Sequence, residues 1–148
     1  MDIQMRPASA EDAGFIAWVM INSGQSGKTT GFWDALIPES LEEQTEFARL
    51  MSVAKSPSLC HFSGFAIAEH NNKPVGGLCG YYTEEINRED FRAALKEVMD
   101  HLDWSPERRE AAGKRLMVFF DGFPGLMENA WVVEWVAVEP EYRRRGIM

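Results

Sequence analysis

The sequence is short of cysteine, histidine and positive charge, and each shortage removes a class of function. Its two cysteines, Cys60 and Cys79, lack C-x-x-C spacing and sit in apolar segments, so buried free thiols are expected rather than a disulfide framework or a thiolate metal site. The three histidines, His61, His70 and His101, have no second His, Cys or acid at ligand spacing, and no metal is expected. Lys and Arg number 15 against 23 Asp and Glu, a net charge of −8 that opposes binding to nucleic acid or to an anionic membrane. No apolar run reaches the length of about 18 residues that a membrane span needs, and the start MDIQMRPASAED has no signal-peptide core. A reducing, cytoplasmic setting is the expectation. The G-x-S-x-G of a nucleophile elbow is missing too, so Ser26 and Ser63 carry no hydrolase triad.

What the chain does have is a core: 45% of its 148 residues are hydrophobic, enough for about one domain. Ile3 and Met5 alternate with polar neighbours ahead of Pro7, predicting a short first strand. Ser9 with Asp12 forms a partial capping box, and Phe15, Ile16, Val19 and Met20 recur at helical spacing, predicting a helix over 10–21. Leu41, Phe47, Leu50, Met51 and Ala54 make most of a second helical stripe. FSGFAIAE (62–69) and the segment 75–82 read as a hairpin around Asn71-Asn72-Lys73. Gly76, Gly77 and Gly80 mark a bulge or a close approach within its second strand. Phe91, Leu95, Val98, Met99 and Leu102 predict a helix, and Ser105-Pro106-Glu107 caps another that runs to about Phe120 and closes at Asp121–Gly125.

One motif misleads. Gly27-Lys28-Thr29 ends like a phosphate-cradling P-loop, and LMVFFD (116–121) could pass for its apolar strand. Asn22 stands where the first glycine belongs, however, and the preceding segment has helical rather than strand periodicity. A loop beside a binding pocket is the plainer reading of Gly24, Gly27 and Gly31.

The most informative stretch is WVVEWVAVEPEYRRRGIM (131–148). Residues 131–138 are almost all aromatic or β-branched and read as a buried strand with one acid, Glu134. Pro140 ends the ladder, three arginines follow, and Gly146 permits close backbone approach, which together suit a phosphate. In Val138, Pro140, Tyr142, Arg143 and Gly146 the chain resembles the central V-x-P-x-[YF]-[RQ]-x-x-G-x-[GA] motif of the GNAT superfamily of acetyl-CoA-dependent N-acetyltransferases; Met148 departs from its last position.

That resemblance implies an α/β (α+β) fold with a mostly antiparallel sheet flanked by helices, and a helical insertion over about 84–125. It also implies acetyl-CoA as cosubstrate. Val136, Ala137 and Val138 would line pantetheine, and Arg143, Arg144, Arg145, Gly146, Ile147 and Met148 the pyrophosphate. Glu134 would be the base that deprotonates a small-molecule or peptide amine acceptor. Backbone N–H groups of the strand would polarise the thioester carbonyl. Tyr81, Tyr82 and Tyr142 inherit no role in protonating the leaving thiolate. The resemblance covers the N-terminal half to two-thirds of such an enzyme and stops inside the cofactor motif. The alternative is therefore a catalytically inactive module that binds a partner or pairs with itself as a homodimer.

Overall fold

Two left-handed asparagines fix the register of the sheet. Asn71 (φ 51°) and Asn72 (φ 59°) form the two-residue turn whose twist matches a hairpin, and short polar side chains tolerate that conformation. They join β2 (Phe65–His70) to β3 (Lys73–Tyr82). With β1 (Gln4–Pro7) and β4 (Trp131–Val138), these strands form an antiparallel sheet in the order β1-β2-β3-β4. The helices are α1 (Ala13–Gln25), α2 (Phe32–Leu36), α3 (Leu41–Ser52), α4 (Arg88–His101) and α5 (Pro106–Asp121). This computed structural model describes residues 2–25, 28, 30–86, 88–121 and 128–148, with Phe120 described in its backbone only. Gly27 and Thr29 of the P-loop-like segment and the closing turn at Gly122–Gly125 lie outside the described residues.

The mixed α/β class with an antiparallel sheet is as the sequence predicts; several boundaries are not. Helix α1 runs on to Gln25 instead of ending near Ile21. Asn22 donates from Nδ2 to the Trp18 carbonyl at 2.8 Å, and Gly24 lies so close to the Trp33 indole that a Cβ there would sit 3.2 Å from Cδ1. Packing overrides weak propensity here. It also places a helix ahead of the P-loop-like segment, and 116–121 is helical within α5, so neither half of that motif has its context.

Helix α2 was absent from the sequence reading. Its start is held by the Gly31 N–H donating to Asp34 Oδ2 at 2.7 Å, and it buries Phe32, Trp33 and Leu36. In α3, Ser40 Oγ accepts from the Glu43 N–H at 3.1 Å, a side-chain N-cap. Phe47 and Met51 are buried as the stripe implies, but Leu41 is 60% exposed because α4 and α1 cover only the opposite side.

Helix α1 packs directly on β3 and β4, with α3 behind it, α4 against α3 and α5 against α2. Its buried residues Ala13, Ile16, Ala17, Val19, Met20 and Ile21 therefore cover more than one face. The glycine-rich β3 makes that approach possible. A Cβ on Gly77 would meet Val19 Cγ2 at 3.0 Å, whereas on the other side of the sheet one on Gly76 would meet Met148 Cε and Val138 Cγ2 at 3.3 Å each. The opposite sheet face leaves Met5 (52%), Trp131 (72%) and Val133 (64%) exposed. This corrects the expectation that 131–138 is buried: only one face of β4 is.

Candidate functional site at the open edge of β4

Strand β4 borders β3 on one side and ends the four-stranded sheet on the other. Its ladder with β3 contains one extra residue. Gly77 lies opposite Ala137 and Cys79 opposite Glu134, so Trp135 and Val136 together face Leu78. Trp135 adopts φ 49°, a left-handed value that a bulky side chain takes only at a cost of about 1–3 kcal/mol, and its indole is 8% exposed. It packs beside Trp33 and Phe32, at 5.8 and 5.9 Å between ring centroids. Trp33 and Trp135 are also buried with indole N–H groups that have no hydrogen-bond partner among the described residues.

The bulge reverses which backbone groups face outward. Before it, the Ala130 carbonyl accepts from the Thr83 N–H at 3.0 Å, so even-numbered residues face β3. After it, the Glu139 N–H donates to the Val75 carbonyl at 2.9 Å, so odd-numbered residues do. The backbone N–H and C=O of Val136 and Val138 consequently point to the open edge, whereas Ala137 faces β3 and buries its methyl against the core. Of the three strand residues expected to meet pantetheine, the geometry offers backbone groups from two.

Glu134 sits immediately before the bulge on the core-facing side, half-buried, with buried Cys79 directly across. Its Oε2 accepts from the Tyr81 hydroxyl at 2.7 Å. Tyr81 is paired with Val132, so the contact is a diagonal one across two strands, within reach of long side chains. Glu134 therefore does not stand free on the outer face of the sheet. The carboxylate marks its surroundings: burial first, and then Glu134, push the Cys79 thiol up to about 12 and the Tyr81 hydroxyl well above its ordinary range. Burial chiefly, then Cys79 and Glu134, raise the fully buried Cys60 thiol as well. Both thiols are inert packing groups, as the sequence predicts.

Beyond β4 the chain makes a single 3-10 turn at Pro140–Tyr142, and residues 143–148 continue as turns. Gly146 has φ 69° with open space around it, the conformation for which glycine suits this position. Arg144 is also left-handed at φ 60°, and Arg145 lies 5.8 Å from the Tyr142 ring centroid. Arg143 donates from Nε to the Val138 carbonyl at 2.8 Å. Ile147 is half-buried and Met148 folds back over Gly76. The residues expected at a pyrophosphate site thus surround one end of the open edge, and Glu134 stands on the other side of the bulge.

Two features escaped the sequence reading. The bulge has no signal in VVEWVAV, which contains no glycine; the residue opposite it is Leu78, next to Gly77, and β3 carries an extra residue of its own at Val75 against β2. Tyr81 could not be joined to Glu134 without the strand register. Among the described residues, no group of three or more His, Cys, Asp and Glu is placed to hold a metal ion, and no helix is long and apolar enough to cross a membrane.

No protein-family model matches this chain, and no curated protein sequence matches it. Among solved structures, an acetyltransferase crystal structure superposes with a TM-score of 0.61 at 17% identity, covering 97% of this chain and 67% of its own. An N-acetyltransferase from Staphylococcus aureus Mu50 does so with a TM-score of 0.61 at 19% identity, covering 97% of this chain and 69% of its own. The chain shares the fold of these acetyltransferase structures.

Proposed function

We propose that this chain is an acetyltransferase that moves an acetyl group from acetyl-CoA to an amine. One observation carries the reading: the bulge at Trp135 and Val136 turns the backbone groups of Val136 and Val138 to the open edge, between a glycine-and-arginine turn and the Glu134 carboxylate. The shared fold supports it. Pantetheine is an extended chain with amide groups, and an open strand edge pairs such groups by backbone hydrogen bonds. Arg143–Met148 supply positive charge and a glycine for the pyrophosphate.

Bound acetyl-CoA supplies an activated thioester carbonyl. Glu134 takes a proton from the acceptor ammonium, whose nitrogen then forms the C–N bond as the C–S bond breaks; the further proton that nitrogen sheds as the amide forms passes through water to the departing thiolate. An acidic chain favours a cationic amine on approach. Glu134→Gln keeps shape and removes the base, so kcat should fall about 10²–10⁴-fold with the KM for acetyl-CoA nearly unchanged. A wild-type rate across neutral pH would remove Glu134 from the reaction.

A second reading rests on the exposed side chains of Trp131, Val133 and Val136 beside the open edge: a non-catalytic module that pairs with itself. Sedimentation separates the two, because self-pairing along β4 would give a dimer that coenzyme A does not dissociate.

A further inference from the structure

We propose that Tyr81 is a positioning residue of this site, holding the Glu134 carboxylate so that its Oε1 oxygen is the one presented to the acceptor amine. The inference rests on the acetyl-transfer reading and adds a residue to it. The Tyr81 hydroxyl donates to Glu134 Oε2 at 2.7 Å, and among the described residues Oε1 has no hydrogen-bond partner. Glu134 is half-buried, so its side chain is not sealed in the core.

The division of labour between the two oxygens has a physical reason. A glutamate side chain has three rotatable bonds, and fixing it costs up to about 2 kcal/mol of rotamer freedom. A base that must meet a proton at hydrogen-bond distance gains if that ordering is complete before substrate arrives. Tyr81 can supply the order because it is itself immobile. Its side chain is 6% exposed in the core cluster, and its backbone is paired with Val132 of β4. No cation does the same work: among the described residues Glu134 makes no ion pair, so the carboxylate keeps its charge for an incoming ammonium instead of spending it on an internal arginine. A hydroxyl is the partner that orients a base without neutralising it.

Four versions of the full chain test this: wild type, Tyr81→Phe, Glu134→Gln and the double variant, assayed with acetyl-CoA and a fixed panel of primary amines (lysine, tyramine and a peptide with a free N-terminus). Tyr81→Phe keeps the ring in the core, and thermal unfolding checks that the fold persists. The expected result is a kcat roughly tenfold lower with the KM for acetyl-CoA unchanged. The double variant should be no slower than Glu134→Gln alone, since Tyr81 acts through Glu134. Replacing Tyr81 by 3-fluorotyrosine, a stronger donor of the same shape, should move the ascending limb of the pH–rate profile to lower pH, which a packing role would not do. If Glu134→Gln is slow while Tyr81→Phe is as fast as wild type, or if the two losses multiply, Tyr81 has no positioning role and the base assignment survives. A wild-type rate for Glu134→Gln overturns both.

Discussion

Arg143 Nε donates to the Val138 carbonyl at 2.8 Å, tying the first arginine of the cluster to the open edge of β4. By residue type Arg143, Arg144 and Arg145 are alike; the structure separates them. Arg143 shapes the turn, while Arg144 is exposed and makes no hydrogen bond or ion pair among the described residues. Arg144→Ala should therefore weaken coenzyme A binding several-fold and flatten its salt dependence, because exposed charges act through a screening length of about 8 Å at physiological ionic strength. Arg143→Ala should weaken binding with the salt dependence retained. Calorimetry at two salt concentrations distinguishes them, and identical behaviour would mean the arginines form one undifferentiated patch.

A second prediction concerns acid stability. Arg6 holds Asp12 through two hydrogen bonds of 2.8 and 2.7 Å and reaches Glu69 at 2.8 Å, joining β1, the start of α1 and β2. Asp12 is 7% exposed, and chiefly the Arg6 guanidinium, with help from Ser9, holds its carboxyl down at about 2. The folded value lies below the unfolded value of about 3.9, so the folded state binds fewer protons between them. The stabilisation is complete above about pH 4 and is lost as pH falls toward 2, amounting to roughly 2 kcal/mol at neutral pH. Asp12→Asn should remove most of that acid sensitivity in denaturant midpoints measured from pH 6 to pH 2; an unchanged profile would place the acid-labile group elsewhere.

Two glycines of β3 should respond in opposite ways. A Cβ at Gly77 meets Val19 of α1 at 3.0 Å, so Gly77→Val should overpack the helix–sheet interface and cost about 1–3 kcal/mol. A Cβ at Gly80 finds its nearest neighbour at 3.8 Å, so Gly80→Ala should be neutral or slightly stabilising. Urea unfolding of the pair gives the contrast, and equal losses would mean that α1 does not rest on Gly77 as described.

Much of this architecture is legible in the sequence because each element carries a local cause. Asn71-Asn72 sets the hairpin, Ser40 and Ser105 cap their helices, and the apolar run of β4 stops at Pro140. The resemblance at Val138, Pro140, Tyr142, Arg143 and Gly146 leads to the right fold. What stays hidden depends on partners distant in the chain. Helix α2 has only five residues, too few for periodicity, and exists because Phe32 and Trp33 have Trp135 and Phe119 to pack on. The bulge follows from the register of β3 against β4, which residue types alone do not encode. So does the bond from Tyr81 to Glu134, which joins residues 53 positions apart.

The central claim is that coenzyme A lies along the outward-facing backbone of β4, and backbone amide resonances read it directly. In a titration of the isotopically labelled chain with coenzyme A, the amides of Val136 and Val138 and those of Arg144–Gly146 should move together, in a dose-dependent way and at low salt. The amide of Ala137, hydrogen-bonded toward β3, should move least within the strand. Resonances that shift elsewhere while Val136 and Val138 stay fixed, or no shift at millimolar coenzyme A, would contradict the account.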